Sequence, residues 1–312
     1  MVAEILRIAG DLEGDRSLRD TPDSIVLGKL FHNASYREHH VMDLTDARFG
    51  LTSVDLSWSD VESTETSVLY NEVQMASKAV DLLITAVVST ETFGEGRALS
   101  EEFPSHSSVP IISLHDDIYH WQSALSHLYG LKRQLGSLSG KQIVISWVYG
   151  STFSSPSLAH ALIVLGVLSG AHIRVVAPSD FSVLGRVRRE AIKASATSEA
   201  LEFTHDFQGA FDDAAAIIPY NWFRLDCFNH PERNPQYAQK YRDWYIKPDI
   251  LPEHCIFSPE PPFQPDLMFS PELLEDSRNI SSSWLSRRVR VLAATIVYVL
   301  REYRNGRSVS IV

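Results

Sequence analysis

The sequence predicts an α/β fold of two domains, each a parallel sheet flanked by helices. Three observations carry this. Strand-like and helix-like patterns alternate from one end of the chain to the other instead of segregating into separate halves. Runs such as AVDLLITAVV (79–88) and QIVISWVYG (142–150) are almost continuously apolar, as strands covered on both faces are. At 312 residues, with 44% hydrophobic and 21% charged content, the chain is long enough for two ordinary α/β domains.

SIVLGKLF (24–31) reads as the first buried strand. REHHVMDLTDARFG then has helical periodicity and stops at Gly50, a residue suited to a left-handed C-cap. TSVDLS gives a second strand, 70–78 a helix, AVDLLITAVV the next strand, EGRALSEEF a helix and VPIISL a strand. In YHWQSALSHLYGLKRQLG the spacing of Trp121, Leu125, Leu128 and Leu131 makes a strong amphipathic helix. The turn-like GSLSGK leads into QIVISWVYG, the first strand of a second domain.

After it come the helix SLAHALIVLGVLSG, the strand HIRVVAP, the helix GRVRREAIKASA, the short strand LEFTHD, the strand AAAIIPYNW, the helix PQYAQKYRDW, and HCIFSPEPPF. A long final helix, SSSWLSRRVRVLAATIVYVLREYRN, is apolar on one broad face. The expected domains are 1–135 and 136–282, with the helix 283–305 packing back on the first.

The formal net charge of −11 argues against a nucleic acid or an anionic membrane as partner, so any anion has to be met by a local basic site. Cys227 and Cys255 are too few for a disulfide framework, lack zinc-type spacing and read as small apolar residues. No secretory pattern and no apolar run of transmembrane length is present, which leads us to expect a cytoplasmic protein. Several catalytic motifs fail. GSLSGK precedes a strand instead of joining a strand to a helix, so it is not a phosphate loop, and neither G-x-G-x-x-G nor G-x-S-x-G occurs in a suitable place. His39 and His40 are adjacent and point apart on a helix, and the acids of HDDIYH (115–120) read more simply as helix caps than as metal ligands. No metal and no cofactor is expected.

The order of whole segments is more informative. LFHNASYREHHVMDLTDARFGLTSVDLS, EVQMASKAVDLLITA, VPIISL, HWQS (120–123), LSGKQIVISWVYG and PEPP (259–262) follow one another with the spacing of a known family. In these segments the sequence resembles the aspartate and ornithine carbamoyltransferases, and the serine- and proline-bearing loop SWVYGSTFSSPS resembles the acetylornithine-type subgroup. The resemblance implies an aspartate/ornithine carbamoyltransferase-like fold, a homotrimer, small-molecule substrates and no nucleic-acid or membrane partner. It also brings the family's trefoil knot into consideration.

Residue by residue, the family's S-T-R-T-R motif, which holds a phosphate at a helix N-terminus, falls on Ser35 to His39. Ser35 and Arg37 match it, while Tyr36 and Glu38 replace threonines and His39 replaces the second arginine. Ala86 stands where the family has another arginine, and DVESTETS (60–67) stands where a basic or polar loop from a neighbouring subunit is expected. The H-P-x-Q motif falls on His120 to Ser123. His120 keeps the group that polarises the carbamoyl oxygen, Ser123 replaces the glutamine, and Gln122 is expected to face elsewhere. The H-C-L-P segment falls on Pro259 to Pro262. Its last proline is kept as Pro262, Pro261 replaces leucine, and Glu260 puts a carboxylate where an amine could bind or a base could act. Arg287 matches an arginine that lines the family's cleft. The expected catalytic residues are therefore His120, Arg37 and Glu260, with Ser35, Tyr36, Glu38, His39, Ser123, Pro261, Pro262 and Arg287 binding substrate.

Three functions remain open at this point. One is transfer of a carbamoyl or related acyl group to the amine of an amino-acid-like acceptor. The second is different chemistry on a repurposed site. The third is an inactive homologue kept as a binding or assembly subunit.

Overall fold

A computed structural model describes residues 1–13, 25–57, 64–195, 200–307 and 309–311. Two compact units are present, Met1–Ser123 with Leu285–Val312, and Ala124–Trp284.

The first unit runs α1 (Val2–Asp11), β1 (Val26–His32), α2 (Tyr36–Phe49), β2 (Thr52–Asp55), α3 (Thr66–Ala76), β3 (Leu82–Val87), α4 (Glu95–His106) and β4 (Ile111–Asp116). The boundary to the second unit falls inside α5 (Trp121–Leu135). The sheet order is β2-β1-β3-β4, all parallel, with Ala86 of β3 beside His115 of β4. Every residue of β3 is buried, as its unbroken apolar run predicts. Gly50 caps α2 in the left-handed region (φ 69°), its N–H donating to the Asp46 carbonyl. Gly96 has to be small, because a Cβ there would lie 2.3 Å from the Val87 carbonyl oxygen.

The second unit continues with β5 (Gln142–Trp147), α6 (Ser157–Leu168), β6 (His172–Val176), α7 (Gly185–Ala194), β7 (Leu201–Thr204), β8 (Ala216–Tyr220), α8 (Asn234–Ala238), β9 (Ile256–Phe257) and α9 (Glu272–Glu275). Its parallel sheet has the order β7-β6-β5-β8-β9. Helix α6 is buried at every position from Ser157 to Val167, consistent with a sequence that is apolar all round. Then α10 (Trp284–Arg304) begins at the end of this unit and completes the first. Both cysteines are buried, and burial pushes the Cys255 thiol up to about 12, partly opposed by Arg278, so it stays protonated.

Helices α1 and α8 differ from the sequence reading, and the one-turn α9 was not anticipated. Helix α1 was not anticipated, although Val2, Ile5, Leu6, Ile8 and Ala9 bury one helical face. The helix expected over 235–244 shortens to α8 and the 3₁₀ turn Gln239–Tyr241, after which Tyr241 and Trp244 pack edge-on against Trp147 at 6.1 and 6.0 Å. Tertiary aromatic packing overrides helical propensity there. HCIFSPEPPF contributes only two residues to the sheet, because the prolines that follow lack the N–H a ladder needs. Among the described residues no helix is long and apolar enough to cross a membrane.

Candidate functional site

In the first unit the site is built at the start of α2. Ser35 is its N-cap, with a side-chain oxygen that accepts from the Arg37 N–H at 3.2 Å and donates to Oε2 of Glu38. This pairing of an N-cap serine with a glutamate three residues on has the sequence signature of a capping box. Glu38 points inward and is 1% exposed. Its Oε1 lies 3.3 Å from Nε2 of His120 and 3.1 Å from Nη2 of Arg288.

Arg288 is fully buried on α10. Its Nε donates to Oε1 of Gln122, whose Nε2 donates to the Arg288 carbonyl at 2.7 Å. The His115 and His120 rings stack at 4.1 Å with 9° between their planes. The Nδ1 atom of His120 is buried and has no hydrogen-bond partner among the described residues.

Burial by itself pushes the Glu38 carboxyl up. The hydrogen bond from His120 and the charges of Arg288, His120 and His115 outweigh it and hold the carboxyl well below the usual carboxylate range. Glu38 is therefore a fixed anion at a helix N-terminus, where the dipole also favours negative charge.

Another buried carboxylate of the first unit lies at the end of β4. Asp116 accepts from the N–H groups of Ile118 and Tyr119 at 2.8 and 2.7 Å and faces Arg97 at 3.4 Å. Burial pushes it up to about 6; Arg97 and the two backbone bonds oppose the rise, and Asp117 adds to it. Asp117 accepts from the N–H groups of Gly94 and Arg97 at the start of α4. Asp116 thus closes the turn before α5, and Asp117 caps the start of α4, a different helix from the one these acids precede.

The ligand atoms of Glu38, His115 and His120 lie within 4.8 Å of one another, a spacing a metal ion could bridge. Arg288 already places a cation on the same Glu38 oxygen, however. A divalent ion would crowd a guanidinium in a buried site, so the donor set fits an internal ion pair better than a metal.

The second unit carries its own buried cluster. After β9 the chain reads Ser258 to Pro262, and the Pro261–Pro262 peptide is cis. On α5, His127 meets Ser258 Oγ through Nδ1 at 2.9 Å and Glu260 Oε2 through Nε2 at 2.8 Å. The Trp284 indole N–H donates to the same Glu260 oxygen at 2.6 Å. The connectivity is that of a serine–histidine–acid relay. Ser258 and His127 are fully buried, however, so it holds the 258–262 loop and has no exposed nucleophile.

Of the residues singled out from sequence, Ser35, Glu38 and His120 come together. Arg37 joins them only through its backbone; its guanidinium lies 4.6 Å from the Tyr36 ring and has no ion-pair partner among the described residues. Tyr36 is 60% exposed, and His39 packs edge-on against Phe31 at 5.1 Å. Ser123 and Arg287 are buried, and Glu260 belongs to the His127 cluster together with the loop of Pro261 and Pro262. Residues 60–63 of the DVESTETS loop lie outside the described residues.

Gln122, expected to face elsewhere, instead holds Arg288. Sequence reasoning missed Arg288, His115, His127 and Trp284. For Arg288 a signal existed, since Arg288, Val291, Leu292 and Thr295 recur at helical spacing and are all buried.

No protein-family model matches the chain. It is 23% identical over 226 residues to an ornithine carbamoyltransferase of Prochlorococcus marinus (strain MIT 9313), covering 72% of this chain and 66% of that enzyme, just under two thirds of its length. It is 22% identical over 284 residues to the ornithine carbamoyltransferase of Psychrobacter arcticus, covering 88% and 84%. Its fold matches a crystal structure of acetylornithine transcarbamylase complexed with acetylcitrulline at a TM-score of 0.83, with 18% identity over 96% of this chain and 95% of that one. An N-acetyl-L-ornithine transcarbamylase mutant complexed with carbamyl phosphate and N-succinyl-L-norvaline matches at 0.84 over 96% of each chain. In sequence the chain is similar to these ornithine carbamoyltransferases, and it shares the fold of the transcarbamylases.

Proposed function

We propose that the protein transfers a carbamoyl or related acyl group to the amine of a small, amino-acid-like acceptor, from a donor that carries no phosphate dianion. One observation carries this reading: the Glu38 carboxylate at the start of α2 already engages the Ser35 hydroxyl, His120 Nε2 and the Arg288 guanidinium. Adding a phosphate dianion would bring like charge against a buried, ionised carboxylate. Ala86, at the end of β3, adds no compensating cation.

The same geometry supplies a base. A carboxylate on Nε2 of His120 fixes the proton there and leaves Nδ1 as the acceptor, the arrangement that prepares an imidazole to take a proton from an attacking amine. Glu38 is then a positioning residue and His120 the catalytic one. The family relation also supports a homotrimer, for which light scattering should return three times the 35.0 kDa chain mass.

The test is thermal melting with carbamoyl phosphate and with inorganic phosphate. Neither should shift the wild-type protein. Glu38→Thr, which empties the seat and leaves Arg288 and His120 uncompensated, should melt lower and be raised by both ligands. A wild-type protein stabilised by carbamoyl phosphate, or one that turns it over, would sink the proposal.

A further inference from the structure

The second unit contains a cavity of about 820 Å³ that the Glu38 site does not involve. Part of its wall comes from the carboxyl ends of parallel strands: Tyr149 follows β5, and Phe207 and Gln208 follow β7. Crevices outside such strand ends are where open α/β sheets bind ligands. The segment 242–250, tied to β5's end by the Tyr149 N–H donating to the Trp244 carbonyl at 2.9 Å, forms another part with Asp266 and Leu267.

The lining combines three aromatic rings, Tyr149, Phe207 and Tyr245, with charges of both signs. Arg242 and Lys247 are the cations; Asp243, Asp249 and Asp266 are the carboxylates. None of these five side chains forms an ion pair among the described residues, and Arg242 meets only the Tyr149 ring, at 5.9 Å. Elsewhere in the same unit Arg174, Arg224, Arg278 and Lys240 each hold a carboxylate. Opposite charges that line one cavity without neutralising each other are complementary to a ligand that carries both at a distance.

We propose that this cavity binds a short peptide as a zwitterion, independently of the acyl-transfer reading. Its carboxylate meets Arg242 and Lys247 in charge-assisted hydrogen bonds, and its ammonium meets the three aspartates. The backbone between them lies against the aromatic rings. A single amino acid leaves most of 820 Å³ unfilled, whereas ligand sites of roughly 300–1,000 Å³ hold drug-sized molecules, which a tripeptide matches in size.

The experiment is calorimetric titration of the full chain with trialanine, with trialanine acetylated at its N-terminus, and with trialanine amidated at its C-terminus. Trialanine should bind, and either block should weaken binding by about tenfold or more, the scale of a lost charge-assisted contact. Arg242→Glu and Asp266→Asn should each reproduce the corresponding loss. Both positions are exposed, and asparagine tolerates the left-handed backbone at Asp266 (φ 72°), so the fold is retained. Glu38→Thr should leave trialanine binding unchanged, which separates failure here from failure of the acyl-transfer reading. Absence of binding by trialanine at millimolar concentration, or binding indifferent to both blocks and both variants, overturns the proposal.

Discussion

Asp116 and Glu38 are both buried carboxylates of the first unit, yet their environments drive them in opposite directions. Asp116, raised by burial to about 6 from 3.8, holds its proton more tightly folded than unfolded. Its contribution therefore favours the fold below about pH 4 and is lost as the pH rises to about 6, a change of ~3 kcal/mol for a shift of about two units. Glu38 is depressed, so its contribution is present above the unfolded value of 4.5 and is lost as the pH falls through its folded one. Chemical denaturation from pH 4 to 7 should show the stability of wild type relative to Asp116→Asn decreasing with pH; a flat difference would contradict the assignment. Glu38→Gln should lower stability at pH 7 by about 3–5 kcal/mol, because it strands a buried guanidinium. A loss within the error of the measurement would mean that Arg288 finds another partner.

At the scale of elements, most of the strands and helices were legible because periodicity depends on local sequence. The buried run of β3 and the C-cap at Gly50 are examples. The site was legible only in part. Ser35 and Glu38 are three residues apart in one helical turn, so their pairing has a local signature. Arg288 lies 250 residues from Glu38, next to an equally basic Arg287, and only the way α10 turns its buried face selects one of the two. His127 and Glu260 are likewise 133 residues apart, and no motif links them. That cluster predicts how the 258–262 loop is held. Trp284→Phe removes one donor from the Glu260 carboxylate and should cost about 1–3 kcal/mol, while His127→Ala also orphans the Ser258 hydroxyl and should cost more. Urea melts of the two variants that reversed this order would indicate that the indole is the main support of the loop.

For the whole molecule, the decisive feature is that the first unit is assembled from both ends of the chain. Leu285–Val312 supplies Arg288, the only Lys or Arg among the described residues that ion-pairs with Glu38, and a row of buried apolar side chains from Val289 to Leu300. It also supplies Ile311, whose carbonyl accepts from the Ser113 N–H at 2.7 Å beside β4. The sheet β2-β1-β3-β4 is continuous in the first 123 residues, yet its packing requires contacts closed over most of the sequence, and such non-local closure is entropically costly and slow. A chain ending at residue 284 should therefore lose the first unit selectively. Hydrogen exchange on that truncated chain should show β1, β3 and β4 amides unprotected while those of β5, β6 and β8 keep the protection they have in the full chain. Retained protection in β3 and β4 would mean that the first 123 residues fold without the C-terminal helix, and the buried Glu38–Arg288 pair would then be an addition to that unit instead of a condition for it.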